Sequence, residues 1–119
     1  MKTLLSLTFA LFVSAFALQA QDYASVEKEA RAKTDKIAES LDLTEEQDVL
    51  LYRQNYELAL NAARLKKMDA SADERKRMSK SYMTRYDRAV KEILDEGQYE
   101  KYLEVREKHE SKDEARMRK

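Results

Sequence analysis

The stretch LTEEQDVLLYRQNYELALNAARLKKM, residues 43–68, decides the fold. It opens as a helix start: the Thr44 hydroxyl can accept from the backbone N–H three residues on while the Gln47 side chain reaches back, with Glu45 and Glu46 favouring the positive helix end. From there to Met68 runs about 36 Å of helix at 1.5 Å per residue. Val49, Tyr52, Tyr56, Ala59 and Ala63 recur at alternating three- and four-residue steps, the spacing of a coiled-coil-like seam. Leu51, Leu58 and Leu65, with Ala62 beside them, form a second stripe about 180° from the first at 100° per residue. A helix apolar on opposite sides must be covered on both.

Outward from this helix, the polar break 68–74 contains Ser71 and Glu74 at capping-box spacing, so a third helix starts there and folds back as an antiparallel hairpin. Met78, Tyr82, Tyr86, Ala89 and Ile93 line one side of it, widened by Met83, Val90 and Leu94, with Lys80, Thr84, Asp87, Arg88 and Lys91 facing away. The only glycine, Gly97, lies in Leu94-Asp95-Glu96-Gly97-Gln98, a local break at which Asp95 can cap a fourth helix with Gln98 at the box position. From Tyr99 that helix shows Tyr102, Leu103 and the stem of Arg106 on one side. On the other flank a weakly amphipathic first helix, roughly 23–41, carries Tyr23, Val26, Ala30, Ile37 and Leu41 within a narrow arc. The expected fold is all-α, four helices around a long antiparallel hairpin.

Residues 1–20 read as a cleaved Sec-type signal peptide: Lys2, an apolar run from Leu4 to Leu18, and the small Ala20 before Gln21. The run is short for a bilayer span, which needs about 20 apolar residues. Residues 21–108 are expected to form one helical domain. Residues 109–119 make a charged tail that should fray, having almost nothing to bury. The chain has 39% charged residues, one glycine and no proline, a composition suited to long helices and not to sheets with frequent turns. Removing Lys2 from the 23 basic residues leaves 22 against 23 acidic ones. Such neutrality argues against wholesale nucleic-acid binding. With no cysteine there is no lipid attachment site after the apolar run, and stability must come from packing or self-association.

The residues of acid–base and nucleophilic chemistry are scarce. There is no thiol, and the one histidine, His109, lies in the charged tail without partners to orient it. Aspartates and glutamates alternate with lysines and arginines as on a solvated helix face. No phosphate loop or zinc motif occurs. Neither enzymatic activity nor a cofactor or metal is expected. Two features suit binding. Arg64, Lys66 and Lys67 end the second helix and Arg75, Lys76 and Arg77 begin the third, so the hairpin tip is positive. The helix dipole accounts for the first three cations but not the second three. The tip is either simply solvated or a contact for acidic protein segments or anionic lipid head groups. The leucines 51, 58 and 65 are the better candidates for an intermolecular surface, unless the first or fourth helix folds over them. Tyr52, Tyr56, Met78, Tyr82 and Tyr86 read as core.

With Leu43, Thr44 and Gln47 in one place and Leu94 and Gln98 in another, about fifty residues on, the chain resembles the LTxxQ-motif family of periplasmic, Spy/CpxP-like proteins. The likeness spans roughly residues 30–108. The first copy of the motif is complete; the second has Asp95 in place of threonine, which keeps a helix cap. The resemblance implies a cradle-shaped antiparallel homodimer in the periplasm, part of a stress response, whose concave face holds partly unfolded proteins without ATP. The broader group includes metal sensors with histidine-rich sites, which this chain lacks. The alternative is a non-enzymatic structural or regulatory adaptor that docks one specific envelope partner through a helix groove.

Overall fold

The computed structural model describes residues 18–117, and these form four helices: α1 (Ala20–Leu41), α2 (Glu45–Lys67), α3 (Ala72–Ile93) and α4 (Glu96–Met117). The expected signal peptide lies outside the described residues except for Leu18, Gln19 and Ala20. There is no strand among the described residues, and none of their helices is long and apolar enough to cross a membrane.

Each boundary has a local cause. The Gln19 N–H donates to Asp22 Oδ2 at 3.2 Å at the start of α1. Asp42 ends that helix in the left-handed region, at φ 53° and ψ 60°, with its N–H bonded to Ala38 O. Aspartate tolerates this conformation better than most side chains. The Thr44 box forms in both directions, Gln47 N–H to Thr44 Oγ1 at 3.2 Å and Thr44 N–H to Gln47 Oε1 at 3.0 Å. At α3 the Glu74 N–H donates to Ser71 Oγ at 3.2 Å. Between α3 and α4 the break is at Leu94, whose backbone is extended at φ −84° and ψ 148°. Gly97 lies inside α4 without a positive φ, so the joint comes from the Asp95 cap and not from glycine freedom. The helix continues to Met117, well past His109.

The long helix α2 packs against both α1 and α3, and α4 packs on α1. Asp22 meets Lys67, and Thr34 meets Asn55, so α1 runs antiparallel to α2. Gln47 meets Ile93, Asn55 meets Tyr86 and Met68 meets Arg75, so α3 does as well. The core forms where the four helices converge: Ile37 and Leu41 from α1, Leu51 from α2, Tyr86 and Val90 from α3, Leu94 from the joint and Tyr102 from α4. Two polar side chains are buried with them. Thr34 Oγ1 donates to Ala30 O at 2.7 Å and accepts from Asn55 Nδ2 at 2.9 Å, while Asn55 Oδ1 accepts from Tyr86 Oη at 2.5 Å. One hydrogen-bonded line thus ties three helices together and leaves none of these buried groups unsatisfied.

The leucine stripe requires a correction. Leu51 is wholly buried and therefore intramolecular core, whereas Leu58 packs only partly buried against the same core. The physical reason is the requirement already set by the two-sided helix: α1 and α3 provide the cover. Val49, on the other stripe, is instead 58% exposed.

Candidate partner-binding surface

The motif residues come together. Gln47 Nε2 donates to Gln98 Oε1 at 2.7 Å, and Gln98 Nε2 donates to Gln47 Oε1 at 3.1 Å. Each glutamine also closes its own helix cap, Gln98 Oε1 accepting from Asp95 N–H at 3.0 Å as Gln47 does from Thr44. The Asp95 carboxylate accepts from Gln98 N–H at 2.7 Å, doing the work of the threonine it replaces. In addition each amide donates to a carbonyl at the C-terminal end of another helix: Gln47 to Ile93 O of α3 at 3.1 Å, Gln98 to Leu41 O of α1 at 3.3 Å. Four helix ends meet at this clasp, which satisfies both donors and orphan carbonyls. Leu94 is buried and Leu43 packs partly buried against the core. These motif positions are therefore a joint, partly buried, and not a free surface.

The hairpin tip does present cations. Arg64, Lys66, Lys76 and Arg77 are exposed, and among the described residues none of the four forms an ion pair. The other two are engaged: Lys67 pairs with Asp22, and Arg75 Nη2 donates to Met68 O at 2.7 Å, closing the end of α2. Leu65, near the tip, is half-buried.

Between α2 and α3 lies an open groove. At the clasp end it is a hollow of about 620 Å³ that includes Gln47, Leu50, Gln54, Ala89, Glu92 and Ile93. A second, much smaller hollow of about 50 Å³ adjoins it at Gln54 and includes Leu58, Asn61, Tyr82 and Arg85. Leu50 is 37% exposed there. No residue of α1 or α4 lines either hollow. Sequence reasoning missed this groove and the Thr34–Asn55–Tyr86 line. Thr34 fills the position that the Ala30–Ile37 arc skips, and Asn55 follows Leu51 by one helical turn; these gaps were the available signal.

Three titratable groups with shifted values, Lys33, Tyr86 and Tyr102, lie at the α1–α3–α4 junction. Burial pushes the Tyr86 hydroxyl up well beyond its ordinary range, and burial also raises Tyr102. Lys33 lies 4.5 Å from the centroid of the Tyr86 ring, and burial lowers its ammonium. Arg106 Nη1 pairs with Asp87 Oδ1 at 2.7 Å beside them. The Arg106–Asp87 pair ties α4 to α3. Among the described residues no three histidine, cysteine, aspartate or glutamate side chains are grouped to hold a metal ion. The side chain of His109 lies outside the described residues.

No family model, curated protein or solved structure matches the chain.

Proposed function

We propose that the protein is an exported, non-enzymatic chaperone of the periplasm that holds partly unfolded clients on a helical surface without ATP, working as a homodimer. The observation that carries this reading is the uncovered face of the α2–α3 hairpin, with half-exposed Leu50 and half-buried Leu58, Ala89 and Ile93 beside exposed charges. Charge steers an encounter with an unfolded chain and apolar contact prolongs it. The reciprocal Gln47–Gln98 clasp adds support, because it gives a structural reason for the LTxxQ-like motif to occur twice, in line with the resemblance to Spy/CpxP-like proteins.

The adaptor reading has its own support: an open groove between two helices is the geometry on which a single amphipathic helix docks. Light scattering separates the two. A model protein denatured by heat or by reduction is followed with and without stoichiometric amounts of the protein, in the absence of ATP. A holdase suppresses the scattering of several unrelated clients. A folded, helical protein that suppresses none of them, yet retrieves one partner from an envelope extract, is an adaptor.

A further inference from the structure

The groove has a chemistry more specific than a general apolar surface. Its floor offers Leu50, Leu58, Ala89 and Ile93, and its rims carry Glu46 and Glu57 from α2 and Glu92 from α3. All three carboxylates are exposed, and among the described residues none of them forms an ion pair. The cation in the lining, Arg85, has its guanidinium 5.5 Å from the centroid of the Tyr82 ring. The tip cations Arg64, Lys66, Lys76 and Arg77 line neither hollow. Together the two adjoining hollows span α2 from Glu46 to Asn61, about 22 Å at 1.5 Å per residue, roughly four turns of a partner helix.

We propose that this groove docks an amphipathic helical segment of a client protein, apolar along one side and flanked by lysine or arginine. The assignment rests on the client-holding reading above and names the segment it prefers. The apolar stripe of the segment covers Leu50, Leu58 and Ile93, replacing water over side chains that α1 and α4 leave bare. Its cations meet the carboxylates of both rims, which fixes orientation and repels acidic segments. An anionic membrane is disfavoured on this face by the same carboxylates.

Fluorescence anisotropy of the purified protein with two synthetic peptides of about fifteen residues tests this. Both carry leucines at i, i+3, i+4 and i+7; one has lysine flanks and the other glutamate flanks. The lysine peptide is expected to bind about tenfold tighter at low salt, with the advantage shrinking at high salt. The double variant Glu57→Lys/Glu92→Lys, at two exposed positions, should reverse the preference while circular dichroism stays unchanged. Leu50→Ala, which leaves the charges alone, should weaken both peptides about threefold or more. Equal affinities, or a preference untouched by the charge reversal, overturn the proposal. So does a sedimentation shift of the protein alone on Leu50→Ala, which would give the groove to a second copy. If scattering suppression persists without any peptide preference, the groove assignment fails and the client-holding reading survives; if both are lost, both fail.

Discussion

At Asn55 a single side chain links three helices. It donates to Thr34 and accepts from Tyr86 in a fully buried setting, so removing one member strands the others. Tyr86→Phe is expected to lower stability by about 1–2 kcal/mol in urea denaturation, and Asn55→Ala by more, about 2–4 kcal/mol, since it also leaves a void. The apolar triple Thr34→Val/Asn55→Leu/Tyr86→Phe should regain much of that loss, because no buried donor or acceptor remains unmatched. Tyr86 also sets an alkaline limit. Its folded hydroxyl holds the proton more tightly than an unfolded tyrosine with the ordinary value of 10.0, and the cause is burial. Its contribution is therefore complete below about pH 10 and is lost as pH rises through the alkaline range. Absorbance titration of the seven tyrosines should show Tyr86 and Tyr102 ionising last, together with loss of helix, and Tyr86→Phe should move that unfolding to higher pH. Gly97 is the simplest residue to improve. A Cβ there would meet only Asp95 Oδ1 at 3.6 Å, an ordinary contact, so Gly97→Ala should add about 0.4–1 kcal/mol by restricting the unfolded chain.

Among the elements, the glutamine clasp is the feature whose parts depend most on one another. Gln47→Ala and Gln98→Ala each break a cap, a bond to a helix-end carbonyl and the amide pair, so each should cost about 2–3 kcal/mol. The double variant should cost well under their sum, a coupling measurable by a double-mutant cycle. The two caps were legible in the sequence because a capping box is local: Thr44 and Gln47, or Asp95 and Gln98, need only each other. Their meeting was not, because nothing local connects residues 51 apart. The same contrast explains the stripes of α2. Periodicity called for cover on both stripes, but which residues face a neighbour is a tertiary matter: Leu51 went inside while Val49 stayed exposed. The basic tip was legible as charge, whereas the engagement of Lys67 with Asp22 and of Arg75 with Met68 O depended on where α1 and α3 lie. The groove was illegible for a like reason, being defined by what α1 and α4 leave uncovered.

Across the whole molecule, stability comes from apolar packing and buried hydrogen bonds more than from charge. The ion pairs of Arg31 with Asp35 and Asp48 are well exposed, and that of Arg106 with Asp87 is about one-third exposed. Such pairs contribute about 0–1 kcal/mol each and are screened by salt. The melting temperature followed by circular dichroism should accordingly change by only a few degrees between low and high salt. Leu51→Ala, at the centre of the core, should lower stability by about 3–5 kcal/mol. Most helix neighbours here are also neighbours in sequence, α1 with α2 and α2 with α3, joined by short turns. The clasp is different, since it needs both turns already formed before its two amides can find each other. It is therefore expected to form late on the folding path, after the transition state. Gln98→Ala should leave the refolding rate in stopped-flow experiments nearly unchanged and speed unfolding by the whole of its destabilisation, making the clasp the part of the protein that governs how long a folded molecule lasts.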